Sequence, residues 1–82
     1  MAVKAYVLLR VAPGLTKAIF SSLRLSPMVQ SVELITGPYD LIVAIEAATT
    51  NEILTTVMKE IRPAAGVRDT VTCLVVSGEN LE

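Results

Sequence analysis

Val29-Gln30-Ser31-Val32-Glu33-Leu34-Ile35, then Thr36-Gly37-Pro38-Tyr39-Asp40, then Leu41-Ile42-Val43-Ala44-Ile45-Glu46-Ala47: this run reads as two β-strands and the turn that joins them. β-branched side chains crowd both flanks and suit a pleated surface. Gly37, lacking a Cβ, can take the φ > 0 that a hairpin tip needs. Pro38 fixes φ and removes a donor. Asp40 is the misfit, because it places a carboxylate at the mouth of a strand that otherwise runs Leu, Ile, Val, Ala, Ile. Such a charge must be paired or solvated. Two roles meet that demand: an acceptor that closes the turn, or a hook for a ligand.

On the N-terminal side, Val3, Ala5, Val7, Leu9 and Val11 alternate with Lys4, Tyr6, Leu8 and Arg10, the period of a strand. Pro13-Gly14 breaks it. Leu15, Ala18, Ile19 and Leu23 recur at helical spacing, and Pro27 closes that helix. On the C-terminal side, Thr49-x-x-Glu52 is a capping box, whose two side chains satisfy orphan backbone N–H groups. The helix it opens carries Ile53, Leu54, Val57, Met58 and Ile61 on one face, with Thr55, Thr56, Lys59, Glu60 and Arg62 on the other. Pro63 ends it. Val67 to Val76 reads as the last strand, followed by a polar tail, Ser77 to Glu82. The order β-α-β-β-α-β predicts an α+β, ferredoxin-like sandwich: a four-stranded antiparallel sheet with both helices on one face. With no linker or low-complexity stretch, residues 1–82 read as a single domain.

Composition narrows the function classes. The chain has 82 residues, and a domain so short is often supported by oligomerisation, metal or disulfides. Cys73 is the one cysteine, so no disulfide closes within the chain; it reads as a small strand hydrophobe, and the lack of a cysteine framework fits a cytoplasmic protein. Histidine is absent, which removes the commonest general base and metal ligand. A net charge of −1 lacks the footprint of a direct nucleic-acid binder. No apolar run reaches the ~18 to 20 residues of a membrane span, and the start does not read as a signal peptide. No cofactor motif occurs: the glycines lack phosphate-loop spacing, and no triad can be assembled without histidine.

The sheet has a second face to account for. Val3, Ala5, Val7, Leu9, Leu41, Val43, Ile45, Val67, Val71, Cys73 and Val75 are expected against the helices. The opposite face would carry Tyr6, Leu8, Ile42, Ala44, Leu74 and Val76, bordered by Lys4, Arg10, Glu46, Arg68 and Thr70. An apolar centre with a charged rim suits an interface, and pairing sheet to sheet is the simplest closed arrangement. Tyr6 alone is placed for base stacking, which argues against RNA. Among the carboxylates, Asp40 and Asp69 are the one pair that could converge, a point the sequence leaves open. Thr70 and Thr72 suit a strand on propensity alone. As an i, i+2 pair they also put two hydroxyls on one face, and with a glycine backbone and a carboxylate they could hold a zwitterion.

Gly37-Pro38-Tyr39-Asp40, the amphipathic helix ending near Pro63, and Gly66-Val67-x-Asp69-Thr70-x-Thr72-x-x-Val75 together resemble the effector-binding (RAM) domain of the Lrp/AsnC transcription regulators, from Val3 to about Ser77. The resemblance implies a sandwich that pairs sheet to sheet and assembles further into rings of dimers. It also implies a small effector, usually an amino acid, bound between subunits near the Gly-x-x-Asp loop and the Thr-x-Thr strand. By matching position, Gly37 and Asp40 would hold the effector's amino and carboxyl groups, helped by Thr70 and Thr72, while Tyr39 shapes the side-chain pocket. The candidate ligand-binding set is Thr36, Gly37, Pro38, Tyr39, Asp40, Asp69, Thr70 and Thr72, with no catalytic or metal residue. Family regulators carry an N-terminal helix-turn-helix, and this chain starts at the first sensor strand. A stand-alone sensor is therefore expected, with full-length family regulators as candidate partners. Two other readings compete: a purely structural assembly module, and a small ferredoxin-like dimeric enzyme.

Overall fold

Alternation along Val3–Val11 produces the strand at the heart of the molecule: Ala5, Val7, Leu9 and Val11 are all buried, and Tyr6 and Arg10 point the other way. The computed structural model describes residues 2–76; the polar tail Ser77 to Glu82 lies outside them. The elements are β1 (Val3–Val11), α1 (Thr16–Leu23), β2 (Val29–Leu34), β3 (Leu41–Ala47), α2 (Thr50–Thr56) with a π-helical continuation over Val57–Ile61, and β4 (Val67–Leu74). The sheet order is β2-β3-β1-β4, every pair antiparallel. This is the ferredoxin-like α+β fold expected from the sequence, with the two hydrophobic strands central and the more polar ones at the edges.

The core lies between the sheet and the helices. Leu9, Leu41, Val43 and Ile45 meet Ile19 and Leu23 of α1 and Ile53, Val57 and Ile61 of α2 and its continuation. Leu9, Leu41, Ile45, Ile53 and Ile61 are fully buried, each burial stabilising the fold by about 1.5–3 kcal/mol relative to exposure. Helix α2 opens as its capping motif predicts, the Thr49 hydroxyl accepting the amide of Glu52 at 3.1 Å. Further on, the Thr56 hydroxyl donates to the Glu52 carbonyl at 2.9 Å, and the helix then widens. Arg62 N–H donates to Val57 C=O, five residues back, at 2.8 Å just before Pro63. Leu54 and Met58, expected on the core face, are 44% and 57% exposed instead. Ile53, Val57 and Ile61 already fill the stripe toward the sheet, and Leu54 and Met58 fall on its flank.

One sequence expectation fails at β4. Unbroken alternation puts Val71, Cys73 and Val75 against the helices, and Leu74 and Val76 on the open face. Val67 does oppose Val11 and packs against the core, but the next residue of β1, Arg10, opposes Asp69. Arg68 is therefore an extra residue, a β-bulge, and it reverses the alternation of everything after it. Thr70, Thr72 and Leu74 oppose Leu9, Val7 and Ala5 on the helix side, while Val71 and Cys73 oppose Leu8 and Tyr6 on the open side. Thr70, assigned to the open rim, moves with them. The strand ends at Leu74, and Val75 and Val76 lie beyond it, although Val75 N–H still donates to Lys4 C=O at 2.8 Å. A second register shift between Val29 and Ser31 lets both Val29 and Val32 face the core.

Candidate functional site

Three segments meet at one end of the sheet: the β2–β3 loop, the last residues of β1 and the first of β4. In the loop, Thr36, Gly37 and Pro38 are exposed, and Tyr39 and Asp40 are half-buried. Gly37 has φ 145°, and a Cβ built there would meet open space, so the backbone conformation alone explains the glycine. Asp40 is tied down on three sides. Its N–H donates to Leu9 C=O at 2.8 Å, its C=O accepts from Ile35 N–H at 3.0 Å, and its Oδ2 accepts from Val11 N–H at 2.9 Å. The carboxylate therefore reaches across to β1, next to the bulge, rather than closing its own turn.

Arg10 connects this loop to β4. Its guanidinium lies 5.6 Å from the centre of the Tyr39 ring, and its Nε is 3.6 Å from Asp69 Oδ2. Both partners of that ion pair are more than half exposed, so it adds little to stability. Asp40 and Asp69 thus sit at the same end of the sheet but engage different groups, an amide for one and a guanidinium for the other.

Thr70 and Thr72 belong to the other side of β4. With Asp69 they line a groove of about 550 Å³ between β4 and the second helix, whose far wall is Leu54, Val57 and Met58 and whose rim carries Arg62 and Arg68. That volume is within the roughly 300 to 1000 Å³ usual for small-molecule sites. The candidate set therefore divides: Asp69, Thr70 and Thr72 share the groove, while Thr36–Asp40 lies outside it, beyond β1. Sequence reasoning missed Leu54, Met58 and Arg62 as site residues. Their fourfold spacing was the available signal, since i, i+4 neighbours form one stripe along a helix. Among the described residues, no group of three or more His, Cys, Asp or Glu could hold a metal ion. None of the helices there is long and apolar enough to cross a membrane.

Comparison with known proteins agrees with this architecture. The family model of the Lrp/AsnC ligand binding domain matches residues 4–79. TTHA0845 from Thermus thermophilus is 29% identical with a TM-score of 0.88, over 92% of this chain and 94% of its own. FFRP-DM1 is 27% identical with a TM-score of 0.87, over 90% of this chain and 99% of its own. The transcriptional regulator NMB0573 from Neisseria meningitidis, solved as a complex with L-Met, shares the fold at 20% identity and a TM-score of 0.82, with 93% of this chain matching 51% of that one. No curated protein matches the chain by sequence. Matched by that family model over nearly its whole length, the chain belongs to the Lrp/AsnC ligand-binding-domain family.

Proposed function

We propose that this chain is a non-enzymatic, self-associating effector module of the Lrp/AsnC type that binds an amino acid and acts in the cytoplasm. The groove beside Thr70 and Thr72 carries this reading: it combines hydroxyls, a carboxylate, two guanidinium groups and an apolar wall, the donor and acceptor mixture a zwitterion needs. The capture of L-Met by a protein of the same fold supports an amino acid as the ligand class. Because Thr36–Asp40 lies outside its own groove, the loop would contribute to the site from a neighbouring subunit. The exposed Tyr6 and Val71 on the open sheet face support self-association through that face. Modulation of full-length regulators through mixed oligomers would follow from the same contact.

Calorimetric titration with each standard amino acid tests the ligand class. Saturable heat from at least one of them is expected, and silence from all at millimolar concentration rejects it. A second reading, a purely structural assembly module, is favoured by the Asp40 carboxylate being engaged by Val11 N–H. In that case the oligomer seen by analytical ultracentrifugation is indifferent to every amino acid.

A further inference from the structure

The groove between β4 and the second helix has an uneven distribution of charge. Arg62 and Arg68 stand at its rim with a single carboxylate, Asp69, and that carboxylate is already 3.6 Å from Arg10 on the open side of the sheet. Among the described residues, neither Arg62 nor Arg68 meets a carboxylate; Arg62 instead rests its Nη1 on the Met58 sulfur at 3.2 Å, a weak acceptor. Two guanidinium groups without an acid partner beside one cavity are the complement of an anionic group, and arginine binds carboxylates with two parallel hydrogen bonds. The wall opposite the threonines is apolar where Leu54, Val57 and Met58 line it. The α-ammonium of an amino acid has the Asp69 carboxylate to meet. A charged side chain, in contrast, would lose its water against that wall without a partner, and a cationic one would also be repelled by the two arginines.

We infer that Arg62 and Arg68 anchor the carboxylate of the effector in this groove, and that Leu54 and Met58 select an uncharged, apolar side chain. The inference rests on the amino-acid reading above and narrows it to leucine- or methionine-like ligands. Met58 and Arg62, four residues apart, adjoin on the groove side of this segment, while Ile61 stays in the core.

The test is calorimetric titration of the wild-type chain and of the Arg62→Gln, Arg68→Gln and double variants. The ligands are L-leucine, L-methionine, L-glutamate, L-lysine and isoamylamine, which is leucine without its carboxylate. Both arginines are exposed, so the variants are expected to keep the wild-type thermal midpoint by circular dichroism. Leucine or methionine should bind best, isoamylamine and lysine should not bind, and the double variant should lose affinity roughly tenfold or more. Leucine affinity unchanged in a folded double variant overturns the anchor while leaving the amino-acid reading intact. Lysine, glutamate or isoamylamine binding as tightly as leucine overturns it as well. If no amino acid binds the wild-type chain at all, the functional reading falls first and this inference with it.

Discussion

One oxygen of the Asp40 carboxylate accepts the Val11 amide at the point where β1 leaves register with β4. β1 runs on to Val11 after its pairing with β3 has ended at Leu9 and Leu41, which leaves the Val11 amide without a ladder partner on that side. A side chain from the neighbouring loop supplies one. Asp40→Ala should therefore cost about 1–3 kcal/mol in urea unfolding, whereas Asp40→Asn, which keeps an acceptor oxygen, should cost less. Equal losses in the two variants would show that the hydrogen bond is not what the carboxylate contributes. Gly66 carries the stricter backbone constraint: φ is 94°, and an added Cβ would lie 2.6 Å from Leu15 Cδ1 and 3.1 Å from Leu15 Cβ. Gly66→Ala should destabilise by about 1–3 kcal/mol through the left-handed backbone alone, with the clash added to it. A denaturation midpoint equal to wild type would contradict this. Gly37 is legible as a turn residue in the sequence because a glycine before proline between two strands has few other uses. The demand on Gly66 depends on a side chain far away in sequence, Leu15, and so has no local signature.

At the scale of elements, the second helix separates pattern from placement. Ile53 and Leu54 are adjacent and both apolar, yet Ile53 is fully buried and Leu54 is 44% exposed. Ile53→Ala should cost about 2–5 kcal/mol as a core cavity, and Leu54→Ala less than about 1 kcal/mol, as expected away from the core; thermal unfolding followed by far-ultraviolet circular dichroism distinguishes them. Comparable losses would mean that Leu54 packs more tightly than its exposure indicates. Thr49→Ala removes the cap on Glu52 N–H and should cost about 1 kcal/mol. The helix, its start and its stop at Pro63 are readable because capping and proline act over a few residues. Which flank meets the sheet is not, since Ile53, Leu54, Val57, Met58 and Ile61 exceed one stripe and neighbours choose among them. The same limit applies to β4. Alternation predicts its faces correctly for an unbroken strand, and the single extra residue Arg68 inverts them.

For the whole molecule, that inversion remakes the open face of the sheet. Tyr6 there opposes Ala44 and Cys73, and Leu8 opposes Ile42 and Val71, with Lys4 5.3 Å from the Tyr6 ring at the edge. The apolar character inferred from sequence survives with different β4 members, because Val71 and Cys73 replace Leu74 and Val76. If this face pairs with a second copy, Val71→Glu should convert the assembly to monomer in sedimentation velocity, since a charge would be buried without a partner. Cys73, a free and exposed thiol in the single chain, should then react with an alkylating reagent more slowly in wild type than in that variant. Unchanged sedimentation and equal alkylation rates would place the contact elsewhere. Element order, the turn at Gly37 and Pro38 and the ferredoxin-like sandwich were settled by local chemistry: strand and helix periods, proline, glycine and a cap. The make-up of the groove was settled by pairing across the sheet. Parity along a strand survives only until a bulge, and the bulge at Arg68 exists because of how β4 meets Arg10 and Val11 of β1. That one contact sends Thr70 and Thr72 beneath the helix and leaves Asp69 facing Arg10. It also separates both threonines from the Thr36–Asp40 loop, with which the sequence had grouped them.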